Sequence, residues 1–128
     1  MERARVLVAD DDADIRGLLA AFVSSDPGLK LVGVAADANE AVEIASEHKP
    51  DAALLDVSMP GGGGLRVVRE LQEFSPDTSV VALSAYDERN IVIDMLQAGA
   101  MSYLVKGATR EQILHALHRS IDAHAKLA

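Results

Sequence analysis

Short apolar runs alternate with longer segments of helical periodicity along the whole chain. Five short runs consist mainly of apolar residues with little polar alternation, which is typical of strands buried on both faces of a sheet. In chain order the predicted strands are Ala4–Ala9, Leu29–Ala36, Ala52–Leu55, Val80–Leu83 and Met101–Val105. Each is followed by a segment long enough for a helix.

The intervening segments place apolar residues three or four positions apart, as on the buried face of an amphipathic helix. These faces span residues 15–23, 41–45, 65–71, 91–97 and 113–121. Three of the predicted helices end at proline or glycine, namely at Pro27, Pro50 and Gly99. The run Gly61–Gly64 precedes the third helix and is predicted to form a flexible turn.

Side chains that can cap helix N-termini stand before three of these helices. Asp12 is placed to cap the first helix. Asp37 with Glu40, and Thr109 with Gln112, have the spacing of capping boxes for the second and fifth helices. These signals agree with the helical periodicity that follows them.

Strands that alternate with helices require crossover connections, so we expect a mostly parallel sheet with helices on both faces. The right-handedness of such crossovers excludes most topologies. The leading prediction is an α/β fold of five βα units, a flavodoxin-like doubly wound sheet with strand order 2-1-3-4-5, and a Rossmann-type order is the alternative. With 128 residues the chain is predicted to form a single domain over residues 1–128.

The composition is that of a folded globular protein, with 49% hydrophobic and 25% charged residues. A net charge of -8 argues against binding nucleic acid or an anionic membrane through the whole surface. The absence of cysteine excludes thiol chemistry and suits a reducing compartment. Acidic residues interrupt the apolar run near the N-terminus, and no run approaches the length of a membrane span, so we expect a cytoplasmic protein.

Polar residues follow four of the predicted strands. Asp10 and Asp11 come after the first strand, Asp56 after the third, Ser84 at the end of the fourth and Lys106 after the fifth. In a doubly wound sheet, ligands bind beyond the carboxyl ends of the strands where the strand order reverses. We therefore expect these five side chains to converge there.

Crowded carboxylates need a compensating cation, and oxygen ligands favour a hard one such as Mg²⁺. A carboxylate such as Asp56, once neutralised by the metal, can act as a nucleophile toward phosphorus. The hydroxyl of Ser84 and the ammonium group of Lys106 would then bind the phosphoryl oxygens. The same pattern predicts an internal ion pair between Lys106 and the acids before phosphorylation.

Four segments carry a family resemblance that covers essentially the whole chain. They are VLVADDDADIR (Val6 to Arg16), LLDVSMPGGGGL (Leu54 to Leu65), ALSA (Ala82 to Ala85) and YLVKG (Tyr103 to Gly107). In this order and on these strands they resemble the motifs of the receiver domain of two-component response regulators.

The resemblance implies a role for each site residue. Asp56 would be the phosphoacceptor, and Lys106 would contact the phosphate. The metal, Mg²⁺ or another divalent cation such as Mn²⁺ or Ca²⁺, would be ligated directly by Asp11, Asp56 and the backbone carbonyl of Ser58. Asp10 would act largely through water. Ser84 and Tyr103 would be the switch hydroxyl and the switch aromatic residue.

The resemblance also implies partners. A sensor histidine kinase would donate the phosphoryl group, and the chain would not be an enzyme beyond phosphotransfer and autodephosphorylation at its own aspartate. Phosphorylation would alter a face formed by the fourth helix, fifth strand and fifth helix. That face would bind a second copy or a separate or fused output domain, with no direct binding of nucleic acid or membrane by this domain.

Two features depart from the family pattern, and one position bears on phosphate lifetime. Gly107 stands where the family usually has proline, and we expect a trans peptide bond before it. The run of four glycines is unusual. Tyr86, two residues past Ser84, is predicted to shield the phosphate from water.

Two other functions use similar residues. A Mg²⁺-dependent aspartyl phosphatase of the haloacid dehalogenase type needs the motif D-x-D-x-[TV], which the run from Asp10 does not complete. A flavodoxin-like FMN carrier would bring a phosphate against the strand-end acids, and few aromatic residues are available to stack on the flavin ring.

Overall fold

The computed structural model describes residues 2–85 and 87–127, which leaves Tyr86 and its predicted shielding role outside the described residues. Over those ranges strand and helix alternate five times. The strands are β1 (Ala4–Ala9), β2 (Leu29–Ala35), β3 (Ala52–Asp56), β4 (Ser79–Ser84) and β5 (Ser102–Val105). The helices are α1 (Ala13–Ser24), α2 (Ala38–His48), α3 (Gly63–Phe74), α4 (Arg89–Ala98) and α5 (Arg110–Leu127).

The five strands form one parallel sheet in the order β2-β1-β3-β4-β5. This confirms the predicted flavodoxin-like order and excludes the Rossmann-type alternative. Val8 of β1 lies opposite Leu54 of β3, and Asp56 at the end of β3 lies opposite Leu83 of β4. The carboxyl ends of these three strands are therefore adjacent, at the point where the strand order reverses.

Successive strand residues point to opposite faces of the sheet and build two separate cores. On one face Leu7 and Leu55 pack with α2, α3 and α4 in a cluster that includes Met95. On the other face Val8 and Leu54 pack with α1 and α5. Because both faces are covered, the strands carry continuous apolar runs. Among the described helices, none has the length and hydropathy that crossing a bilayer requires.

Most of the predicted strand and helix boundaries agree with the structure to within one or two residues. The hydrogen bonds at the helix N-termini explain this agreement. Asp12 accepts the N–H groups of Asp14 and Ile15 at 2.9 and 3.1 Å, which confirms it as the cap of α1. Thr109 and Gln112 form the predicted reciprocal box. The box at α2 is incomplete, since the carboxylate of Glu40 accepts the N–H of Ala36 instead of that of Asp37.

The glycine run differs from the prediction, because α3 begins inside it at Gly63 instead of after it. Gly61, Gly62 and Gly63 have positive φ angles. The guanidinium group of Arg66 donates to the carbonyl of Gly61 at 2.7 Å and so binds the turn to the helix. The glycine run therefore forms a defined turn that is hydrogen-bonded to α3. The bond before Gly107 is trans, as expected.

Candidate functional site

The carboxyl edge of the sheet brings the predicted residues together. Asp10 follows β1, Asp56 is the last residue of β3 and Ser84 is the last residue of β4, and all three are buried. Lys106 follows β5 and donates its backbone N–H to the carbonyl of Ser84 at 2.8 Å. Three neighbouring strands and the start of the β5–α5 loop thus direct these groups to one place.

Three carboxylates form a compact acidic cluster. One oxygen each from Asp10, Asp11 and Asp56 lies within 4.8 Å of the others. Asp11 is exposed, whereas the other two are buried. The backbone fixes the buried pair, since the N–H of Asp12 donates to Asp10 Oδ1 at 2.9 Å and the N–H of Ser58 donates to Asp56 Oδ1 at 3.2 Å.

Lys106 supplies the positive charge of the cluster. Its Nζ lies 3.0 Å from Asp56 Oδ2 and 3.5 Å from Asp10 Oδ2, which confirms the predicted internal ion pair. Within the described part of the chain, neither Oδ2 atom accepts a hydrogen bond of good geometry. Two buried carboxylate oxygens with incomplete hydrogen bonding, beside a solvent-exposed third carboxylate, fit the oxygen ligands of a hard divalent cation.

The surroundings shift the ionisation of both partners in the ion pair. Burial raises the pKa of Asp56 to about 6; the contact with Lys106 and the Ser58 N–H oppose the rise, while the charge of Asp10 adds to it. Burial acts to lower the pKa of Lys106, but its contact with Asp56 and the negative charges of Asp56 and Asp10 outweigh burial and raise it. Three carboxylates facing one ammonium group leave an excess of negative charge that a divalent cation would neutralise.

Ser84 and Tyr103 border a groove between α4 and β5. Ser84 is buried at its inner end, and Val92 and Leu96 of α4 form one wall. Tyr103 is half-buried, with 51% of its surface exposed. Tyr103 lines this groove from β5, which is the edge strand of the sheet.

One acidic residue at this edge was not predicted. The carboxylate of Glu88, just before α4, accepts the N–H of Ala85 at 2.6 Å and the hydroxyl of Ser58. A glutamate at the start of a helix is common, and its sequence position does not reveal that it reaches two other loops. The only indication is that Glu88, an acidic residue at the start of α4, makes no hydrogen bond that caps its own helix.

Comparison with known proteins assigns the chain to a class. Residues 6–118 match the family model described as response regulator receiver domain. The response regulator GacA of Pseudomonas viridiflava is 40% identical over 113 residues, which are 88% of this chain and 53% of that protein. The transcriptional regulatory protein NarL of Mycobacterium tuberculosis is 38% identical over 116 residues, or 91% of this chain and 54% of that protein.

Solved structures agree in fold. The signal receiver domain of NarL from Mycobacterium tuberculosis superposes with a TM-score of 0.90 at 36% identity, covering 95% of this chain and 98% of that domain. The response regulator domain of CheB from Thermotoga maritima gives 0.85 at 30% identity, covering 94% and 98%.

The chain therefore belongs to the response regulator receiver domain family of two-component signalling. Its relatives are response regulators rather than phosphatases of the haloacid dehalogenase type. The chain spans about half the length of the curated relatives that it matches.

Proposed function

We propose that Asp56 accepts a phosphoryl group from a sensor histidine kinase. The observation that carries this proposal is the burial of the Asp56 carboxylate against Lys106, 3.0 Å away, with the carboxylates of Asp10 and Asp11 in reach. A structural ion pair would need one acid and one base. Two further acids gathered at the same edge disfavour the fold and are explained by a metal-assisted reaction.

The reaction transfers one group between two residues. A carboxylate oxygen of Asp56 forms a bond to phosphorus while the bond from phosphorus to the imidazole nitrogen of a phosphohistidine breaks, and that nitrogen keeps the electron pair. Lys106 leaves its ion pair with the carboxylate to bind a phosphoryl oxygen, and the hydroxyl of Ser84 donates to another. Positioning and charge neutralisation supply most of the catalysis.

The acidic cluster would hold the metal. Asp11, Asp56 and the backbone carbonyl of Ser58 would be direct ligands, and Asp10 would act largely through water. Mg²⁺, or Mn²⁺ or Ca²⁺ in its place, would neutralise negative charge between the carboxylate and the incoming phosphoryl group.

Partners would detect phosphorylation at one face of the domain. Movement of Ser84 toward the phosphate would free space at the inner end of the groove, and Tyr103 would turn from its exposed position into it. This would change the face formed by α4, β5 and α5. A second copy or an output domain, fused or separate, would recognise that face; the relatives named as transcriptional regulators support an output of this kind.

The chain would catalyse no reaction other than phosphorylation and hydrolysis at its own Asp56. It would meet its partners in the cytoplasm, because histidine kinases take their phosphoryl group from ATP on that side of the membrane.

Mass spectrometry of the intact protein tests the proposal. Incubation with phosphoramidate or acetyl phosphate and Mg²⁺ should add one phosphoryl group, and chelation of the metal should prevent it. Asp11→Asn should raise the Mg²⁺ concentration needed for half-maximal phosphorylation by about tenfold or more. Asp14→Asn, which removes an exposed acid from the first turn of α1, should leave that concentration unchanged. An unmodified wild-type protein, or equal loss in both variants, would contradict the proposal.

A further inference from the structure

The carboxylate of Glu88 joins the two loops that border the phosphoacceptor site. Its Oε1 accepts the backbone N–H of Ala85 at 2.6 Å, and its Oε2 accepts the hydroxyl of Ser58. Ser58 lies two residues after Asp56, and Ala85 directly follows Ser84. One side chain therefore connects the loop after β3 with the loop after β4.

Glu88 makes these contacts instead of stabilising its own helix. It occupies the N-cap position of α4, where a side chain commonly accepts an N–H group of the first turn. In the described structure its side chain makes no such bond. Both carboxylate oxygens are directed to the neighbouring loops, so the contacts are a property of the site more than of the helix.

The contacted peptide is the one that must move in the proposed switch. The N–H of Ala85 belongs to the peptide group that follows Ser84, so a shift of Ser84 toward a phosphoryl group displaces it. A carboxylate that holds this N–H opposes such a shift. Its hydrogen bonds are charge-assisted and about twice as strong as neutral ones.

We propose that Glu88 is a positioning residue that holds the Ser84 loop in its phosphate-free position, so that uptake of a phosphoryl group must break its contacts. The inference rests on the proposed phosphorylation of Asp56. The negative charge that a phosphoryl group brings would also repel the Glu88 carboxylate and help to release it. Glu88 thereby sets how readily the domain changes to its phosphorylated form.

The experiment measures the affinity of the protein for beryllofluoride, a phosphoryl analogue, in the presence of Mg²⁺. Calorimetric titration of wild type is compared with Glu88→Gln, which keeps the shape of the side chain and removes its charge. The variant should bind roughly tenfold more tightly. Asp87→Asn is the matched control, since it removes an exposed charge one residue away. Its affinity should stay within about twofold of wild type.

Two further measurements separate positioning from a general charge effect. The amide resonance of Ala85 in the free protein should shift in Glu88→Gln and stay in place in Asp87→Asn, because only Glu88 contacts that N–H. Ser58→Ala should tighten binding several-fold in wild type and have no effect in a Glu88→Ala background, because the contact is then already lost.

The outcomes are distinct. If wild type does not bind the analogue, or if Asp56→Asn binds it equally well, the proposed function fails and this inference fails with it. If wild type binds in an Asp56-dependent way but Glu88→Gln binds no more tightly, only the role of Glu88 is refuted. Should Glu88→Ala unfold, the Gln variant and the Ala85 resonance still decide.

Discussion

At the scale of single residues, the site holds more negative charge than is favourable for folding. Asp56 is fully buried, and its pKa is raised from 3.8 to about 6. Since the folded protein holds the proton more tightly than the unfolded chain, protonation of Asp56 favours folding. That contribution is complete below about pH 4 and is lost as the pH rises through about 6. At neutral pH the ionised group therefore destabilises the metal-free domain.

We accordingly predict that Asp56→Asn stabilises the metal-free protein. At pH 7.5, with a chelator present, the free energy of unfolding should rise by about 1–3 kcal/mol, and the difference should shrink at pH 4. Urea unfolding followed by circular dichroism at the two pH values measures it. A variant that is less stable than wild type at both values would show that the carboxylate supports the fold.

At the scale of secondary structure elements, α3 approaches β3 more closely than a side chain allows. A Cβ on Gly64 would lie 2.7 Å from the carbonyl oxygen of Asp56 and 2.9 Å from Cε of Met95. The Met95 side chain can yield, but the backbone oxygen cannot move without displacing Asp56. The close approach of α3 to β3 explains why the helix begins within the glycine run.

Gly64→Ala should lower the free energy of unfolding by about 1–3 kcal/mol, because the added methyl group overlaps the backbone of Asp56. Gly17→Ala is the matched control: Gly17 lies inside α1, and a Cβ there would meet nothing within 4 Å. That substitution should stabilise the protein by about 0.5–1 kcal/mol. Thermal and chemical unfolding compare the two. Equal effects would mean that α3 can move away from β3 without loss.

A second contact between elements connects α5 to the loop that follows α1. His118 Nε2 and Asp26 Oδ2 are 2.8 Å apart. Partial burial acts to raise the pKa of Asp26, but the hydrogen bonds from His118 and the Gly28 N–H and the electrostatic effects of His118 and Arg110 outweigh it and lower the pKa. With a depressed pKa, the stabilisation is present above about pH 4 and is lost as the pH falls through the folded value.

Replacing His118 by Ala should therefore lower stability by about 0.5–1 kcal/mol at neutral pH, a small effect because the pair is partly exposed. The loss should shrink as the pH falls below about 4 and through the lowered pKa of folded Asp26, where the carboxylate takes up a proton. His115→Ala, on the exposed face of the same helix, is the control and should change little. Equal losses in the two variants at neutral pH would show that the contact between His118 and Asp26 does not stabilise the fold.

At the scale of the whole molecule, the sheet order and the edge that bears the site follow from the sequence. Continuous apolar strands alternating with amphipathic helices require parallel pairing, and the polar residues after β1, β3, β4 and β5 then meet at one edge. The convergence of Asp10, Asp56 and Lys106 could be predicted for this reason.

Other features depend on contacts between distant segments, which local patterns do not encode. The start of α3 is set by the packing of Gly64 against Asp56. The two contacts of Glu88 depend on how the loops after β3 and β4 approach each other. The exposure of Tyr103 follows from the position of β5 at the edge of the sheet. The chemical roles of the site residues stay predictions that only reactivity can test.

The most direct measurement locates the phosphoryl group itself. The protein is phosphorylated with phosphoramidate and Mg²⁺, the acyl phosphate is trapped by borohydride reduction, and the peptides are sequenced by mass spectrometry. We predict that Asp56 is converted to homoserine, that Asp10 and Asp11 are unchanged, and that hydroxylamine removes the label before reduction. Modification of another residue, or a label that persists in Asp56→Asn, would contradict it.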